Sequence, residues 1–219
     1  MQLKEIFPGI FLIDSRLYVK NLIKDFRPFG EQLVEYKKTQ YSPWDPQRSK
    51  LAAAIVKGLK EVPIKKAAHI LYLGAAHGYT CSKIASIVGE DGIIYAIEFS
   101  ERCFNELLPI CEKYKNIVPI LADARKPEDY NWIEQVDIVY EDVAQPDATE
   151  IAIRNCKEFL KPGGYLFLAI KTQSIDVTAP AKKIVEQEVK KIGDAKFEII
   201  DIRFLEPFEE KHAMVIAQL

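Results

Sequence analysis

The chain has 219 residues, 48% hydrophobic and 28% charged, proportions of an ordinary globular protein that exclude a disordered or fibrous one. Its formal net charge of −2 argues against the strong positive field of a self-sufficient nucleic-acid binder, but residues 1–66 hold 13 Lys/Arg against 7 Asp/Glu, a balance of +6, while residues 67–219 hold 17 against 25, a balance of −8. The apolar stretches 70–76 and 164–170 fall short of the roughly 18 residues a membrane span needs, and the start MQLKEIFPGIFLID has no secretory pattern, so no membrane partner and a cytoplasmic address are expected.

In chain order, residues 5–13, 17–22 and 31–37 read as extended pieces of a small antiparallel sheet. Residues 39–48 (TQYSPWDPQR) carry two prolines and no clean period, so they read as a crossing segment, with a domain boundary near residue 45. This divides the chain into a small β unit, 1–45, and a larger domain, 46–219. The stretch SKLAAAIVKGLK has strong helix formers and an apolar face, which predicts a helix ending near Lys60, before Pro63.

From residue 68 onward the two periodicities alternate. Strands are predicted at 69–73, 92–97, 117–121, 136–141 and 164–170, and helices at 79–88, 101–113, 147–160 and 179–192. Such alternation specifies an α/β fold with a mostly parallel sheet and helices on both faces. Two last strands, 196–204 and 212–218, are separated only by 205–211, too short for a parallel crossover, so they are expected to be antiparallel. A seven-stranded sheet with an antiparallel C-terminal hairpin is the Rossmann-like architecture of Class I methyltransferases. The nicotinamide-binding fold is parallel throughout, so the pattern favours S-adenosylmethionine as cofactor.

Ligands of such sheets bind beyond the carboxyl ends of the strands. The first strand is followed by Gly74-Ala75-Ala76-His77-Gly78, where small residues let the backbone approach a ligand closely. Glu98, Asp123 and Asp142 follow the next three strands. Singly they read as surface or turn acids; together they favour a nucleoside-containing cofactor, with Glu98 on a ribose diol and Asp123 on an adenine amino group. Lys171 ends the fifth strand and points toward the crevice that holds Asp142, while Lys50 and His212 are weaker candidates. No C-x-x-C pair or histidine spacing suits a metal, and the four cysteines read as reduced thiols.

The stretches YLGAAHGYT, YAIEFS, ADAR and EDVAQPD, followed by FLKPGG, AIK and LEPFEEKHAMV, closely resemble the fibrillarin family in its short archaeal form, from about Trp44 to the C-terminus. The resemblance implies methyl transfer from S-adenosylmethionine to ribose 2′-hydroxyls of ribosomal RNA and transfer RNA, at positions chosen by a box C/D guide RNA. It also implies assembly with a Nop-domain scaffold protein and a kink-turn-binding protein. Carried over by motif, the cofactor site comprises Tyr79 and Thr80, Glu98 and Phe99, Asp123 and Ala124, and Asp142, Val143, Ala144 and Gln145, beside Gly74. One departure is local: the family has Ser or Thr in place of His77 and Thr in place of Tyr79, and bulkier side chains there bear on the shape of the pocket. The catalytic set implied is Lys50, Asp142 and Lys171, with His212 as fourth member. Lys171 is expected to orient and deprotonate the hydroxyl, Asp142 to hold Lys171, and Lys50 to position the ribose and its phosphate. Arg48 and Lys50 lie in the basic N-terminal third, where the RNA backbone is expected to approach.

Two other classes fit parts of the pattern. A Class I methyltransferase for a small molecule or protein needs the cofactor acids but not the Lys50, Asp142 and Lys171 set. A non-catalytic subunit of an RNA particle needs only the fold.

Overall fold

The computed structural model describes residues 2–219. Its first part is a five-stranded antiparallel sheet of β1 (Leu3–Phe7), β2 (Ile10–Ile13), β3 (Arg16–Lys20), β4 (Val34–Tyr36) and β5 (Thr39–Pro43), ordered β1-β2-β3-β5-β4. The expected single strand over 5–13 is broken at Pro8-Gly9, where Gly9 takes φ +73° and the chain reverses. The crossing segment expected at 39–48 is in part the strand β5. It pairs with β4 through a two-residue turn in which Lys37 and Lys38 both have positive φ (49° and 66°), the backbone of a type I′ hairpin. The Asn-Gly or Asp-Gly pairs that usually announce this turn are absent, so the hairpin was silent in the sequence.

Helix α1 (Lys50–Val56) is shorter than the predicted helix to Lys60. Gly58, at φ +86°, takes the left-handed conformation just past its end, and that geometry stops a helix. Ser49 caps the start, its side chain accepting a hydrogen bond from Ala52 N–H at 3.3 Å.

The remaining elements alternate as predicted: β6 (His69–Leu73), α2 (Tyr79–Val88), β7 (Ile93–Glu98), α3 (Glu101–Lys113), β8 (Ile117–Leu121), β9 (Val136–Glu141), α4 (Ala148–Phe159), β10 (Leu160–Lys171), a one-turn α5 (Thr172–Ile175), α6 (Ala181–Asp194), β11 (Glu198–Phe204) and β12 (His212–Gln218). They build a seven-stranded sheet in the order β11-β12-β10-β9-β6-β7-β8. Every neighbour pair from β10 to β8 is parallel, and β12 runs antiparallel to both β10 and β11. The order reverses between β6 and β9, because the chain proceeds outward from β6 through β7 to β8 and then returns to start β9 on the other side. At such a reversal the loops leaving two adjacent strands diverge and leave a crevice.

Helix α2 is buried along nearly its whole surface, only Ser86 being less than fully covered. One face lies on the large sheet, and the small sheet lies across the other: Ile10, Leu17, Val19 and Trp44 share one apolar core with Ile84, Ile87 and Val88. A helix enclosed on both faces must satisfy any polar group it carries from within the protein. Lys83, in the middle of α2 and 2% exposed, does so by donating to Glu31 Oε1 at 2.5 Å and Ser42 Oγ at 2.6 Å, both from the N-terminal part. Among the described residues no helix is long and apolar enough to cross a membrane.

Candidate active site

The crevice is where the sheet order predicts it. A cavity of about 260 Å³ is lined by the loops that follow β6, β7, β8 and β9, together with Lys171 at the end of β10. Gly74, the first residue after β6, has φ +80°, and a Cβ there would lie 3.0 Å from both Asp142 O and Val143 Cγ1. Any larger residue would therefore be strained in its own backbone and would press on the loop that carries Asp142. Gly74→Ala is expected to weaken cofactor affinity about tenfold with a smaller loss of thermal stability. Calorimetric titration beside a melting curve checks this, and unchanged affinity would remove the assigned close approach.

Glu98 closes β7 with its carboxylate buried. Oε2 accepts from Ala76 N–H at 2.7 Å and Oε1 from Ser100 N–H at 2.8 Å. Each oxygen keeps a second lone pair, so Glu98 fixes two loops and still offers acceptors to a ligand. Phe99, next in sequence, is 72% exposed and presents a ring at the cavity wall. Asp123 follows β8; its Oδ1 accepts from Arg125 N–H at 2.9 Å, an Asx turn that leaves Oδ2 without a donor among the described residues. Ala124, Val143, Ala144 and Gln145 also line the cavity.

Arg125, which the sequence did not single out, closes one side of this wall. Its guanidinium donates to Asp147 at 2.9 and 2.6 Å and to Gln145 Oε1 at 2.9 Å, and it holds the Asp147 carboxyl below the usual carboxylate range. The signal available was the ADAR motif, which places this arginine two residues after Asp123.

Asp142 sits where β9 ends. Its Oδ1 lies 3.1 Å from Lys50 Nζ and 2.8 Å from Lys171 Nζ, and its backbone carbonyl accepts from Lys171 Nζ at 2.7 Å. All three side chains are mostly covered, at 16%, 17% and 14% exposure for Lys50, Lys171 and Asp142. Two ammonium groups share one carboxylate, which leaves a net positive centre suited to a phosphate-bearing substrate. Glu141 is the residue before Asp142. The side chain is fully buried, and burial first of all pushes its carboxyl well above the usual carboxylate range. Its Oε1 accepts from Val143 N–H at 2.8 Å and so shapes the loop that lines the cavity. Glu141 looked like part of a strand in the sequence, and only its burial reveals this role.

Three expected residues lie elsewhere. Tyr79 and Thr80 do not line the cavity. They occupy the first turn of α2 on its outer side, facing the segment that leads into α1: Tyr79 Oη accepts from Asp45 N–H at 2.9 Å, and Thr80 Oγ1 donates to Ser49 Oγ at 3.0 Å. The bulk of His77 and Tyr79 is taken up by Phe29, whose ring packs edge-on against both at 5.8 and 5.1 Å, so neither narrows the cavity. His212 stands opposite Lys171 in the β10–β12 register, but its Nδ1 is 2.6 Å from the Glu210 carbonyl and it is not part of the cavity wall.

The donor set fits a nucleoside cofactor. Two carboxylates with free lone pairs stand at the ends of neighbouring strands, an exposed ring lies beside one of them, and Gly74 lines the same cavity.

A family model described as Fibrillarin matches residues 1–219. The chain is 50% identical over 207 residues to the fibrillarin-like rRNA/tRNA 2′-O-methyltransferase of Pyrobaculum islandicum, covering 93% of this chain and 88% of the relative. It is similar to the structure of Aeropyrum pernix fibrillarin in complex with natively bound S-adenosyl-L-methionine, with a TM-score of 0.91 and 42% identity over 99% of this chain and 98% of that one. A fibrillarin/Nop5p complex contains a chain to which it is similar with a TM-score of 0.89 and 36% identity, over 98% of this chain and 99% of that one.

Proposed function

The chain belongs to the fibrillarin family, and from that premise we propose that it methylates ribose 2′-hydroxyls of ribosomal and transfer RNA at positions chosen by a box C/D guide RNA. The observation that carries this reading is the Lys50, Asp142 and Lys171 cluster, closed to 3.1 and 2.8 Å at the rim of the cavity. A methyltransferase for small molecules requires the cavity but not this cluster.

S-adenosylmethionine, when bound, supplies a methyl group already activated by its sulfonium. Glu98, Asp123 and Phe99, with the 142–145 loop and Gly74, are the residues to hold it. The chain's own work is then to bring one ribose oxygen into line and remove its proton, so positioning supplies much of the rate. Lys171 Nζ donates a hydrogen bond to the Asp142 carbonyl and pairs by charge with Asp142 Oδ1, leaving a donor position for the 2′-oxygen. In its neutral form that nitrogen accepts the hydroxyl proton. Asp142 fixes both lysines, and Lys50 holds the ribose phosphate by charge. His212 belongs to this proposal only as a neighbour that could orient Lys171 across the strand pair.

The reading divides the chain into an N-terminal unit, 1–45, and a methyltransferase domain, 46–219. Its partners are a Nop-domain scaffold protein, a kink-turn-binding protein, the guide RNA and the target RNA, in the cytoplasm. The near-neutral total charge supports such an arrangement, because phosphate contacts dominate the affinity of proteins that hold RNA alone. The test is incorporation of labelled methyl into a guide-matched RNA. The isolated chain is expected to give little site-specific product, and addition of scaffold, kink-turn protein and guide is expected to restore it at the guided nucleotide. Efficient, position-selective methylation by the chain alone would overturn the guided reading.

A further inference from the structure

A second cleft, of about 580 Å³, opens between the N-terminal sheet and the segment leading into α1, and is larger than the cofactor cavity. Its wall includes Arg16, Phe29, Trp44, Arg48, Val56 and Tyr79. The Arg48 guanidinium lies over the Tyr79 ring at 4.2 Å and near the Phe29 ring at 5.4 Å. Arg48 is exposed, and its hydrogen bond to the described residues is made by the backbone, N–H to Asp45 O at 3.1 Å. The side-chain donors thus lie against two rings and, among the described residues, pair with no acid. Stacking of this kind orients a guanidinium while leaving its edge free, the geometry that suits bidentate recognition of a phosphate.

The acids in the wall do not answer that charge. Glu31 is matched by Lys83, and Asp45 gives its Oδ1 to Gln47 N–H at 2.9 Å. Arg16 adds a second exposed guanidinium at the start of β3. Continuity with the reaction centre is direct. Arg48 and Lys50 flank Ser49, whose backbone is extended (φ −148°, ψ 117°), so their α-carbons are separated by about 7 Å, on the order of one nucleotide.

We propose that this cleft is a subsite for the RNA strand being methylated, in which Arg48 holds the phosphate of a nucleotide neighbouring the one at Lys50 and Lys171. It rests on the reading of the protein as an RNA 2′-O-methyltransferase and adds a residue and a surface to it. Arg48 selects no base, so it works for every guided position. Phe29 and Tyr79 serve to keep the guanidinium in plane.

The experiment uses the assembled particle with the full chain, guide RNA and matched target, comparing wild type with Arg48→Gln and Arg48→Lys. Arg48→Gln is expected to raise KM for target RNA about tenfold, with kcat at saturating RNA and affinity for S-adenosylmethionine little changed. The slope of log KM against log salt is expected to fall by about 1, the loss of one phosphate contact. Arg48→Lys, which keeps charge but not the stacked fork, is expected to fall between the two. An unchanged KM and salt slope in Arg48→Gln overturns the proposal, and a lowered melting temperature without change in KM marks the stack as structural only. Loss of scaffold binding, with RNA affinity of the remaining complex intact, also overturns it and makes the cleft a protein-docking surface. If the wild-type particle does not methylate, the functional reading itself fails, an outcome that the comparison of variants does not confuse with the loss of Arg48.

Discussion

Lys171→Ala is expected to lower methyl transfer by about 10²–10⁴-fold, the range that general-base groups supply, while affinity for S-adenosylmethionine stays nearly unchanged. The expectation comes from geometry. Lys171 closes β10, donates a hydrogen bond to the Asp142 carbonyl at 2.7 Å and lies 2.8 Å from Asp142 Oδ1 as an ion pair. Lys171→Arg separates the two parts of the proposed role. An arginine can still point donors at the ribose, but it does not give up its proton in a protein, so it restores orientation without proton removal. Single-turnover rates on guide-matched RNA are therefore expected to remain low in the arginine variant, whereas target binding recovers. Full activity in either variant, with normal cofactor binding, would falsify the assignment.

The largest stability effect is expected at the pair that joins α2 to the N-terminal part. Lys83→Met removes the cation and leaves the Glu31 carboxylate, 7% exposed, without its partner, a change that costs about 3–5 kcal/mol for buried pairs. Burial pushes the Glu31 carboxyl upward, but the hydrogen bond and charge of Lys83, with backbone N–H donors such as Phe29 N–H at 3.0 Å, outweigh it and hold the group below the usual carboxylate range. A carboxyl depressed on folding stabilises the protein above its unfolded pKa and ceases to do so as pH falls through the folded value. The deficit of Lys83→Met is thus expected at neutral pH and should shrink in acid, where Glu31 takes up a proton. Urea denaturation at two pH values measures this, with Glu31→Gln/Lys83→Met recovering part of the loss because neither charge remains buried. A single variant as stable as wild type would show that the packing of α2 on the N-terminal part does not depend on the pair.

The large sheet was legible because its information is local. Alternating β-branched strands and amphipathic helices fix the order of elements, and the seven residues between β11 and β12 force those strands antiparallel. The acids at the strand ends follow from that order, so Glu98, Asp123 and Asp142 could be placed before any coordinates. What was not legible depends on distance along the chain or on side-chain direction. Lys50 reaches Asp142 across 92 residues, and Lys83 reaches Glu31 across 52, spacings that no periodicity encodes; the first was found through family resemblance and the second was not found. Tyr79 and Thr80 sit in the right loop but at the start of a helix whose outer side is covered, which turns them toward Asp45 and Ser49. β5 was missed because two lysines adopt the left-handed turn that glycine or asparagine ordinarily marks.

Those two hydrogen bonds from the start of α2 bear on how the enzyme meets its substrate. Ser49 caps α1 and also accepts the Thr80 hydroxyl, so the backbone leading into Lys50 is anchored to α2 before any RNA arrives. Bringing two ammonium groups against one carboxylate costs side-chain and backbone entropy and opposes charge repulsion. In this chain that ordering is completed once, during folding. Each incoming RNA therefore meets a reaction centre that needs little reorganisation, and the freedom still to be lost on binding belongs mainly to the RNA.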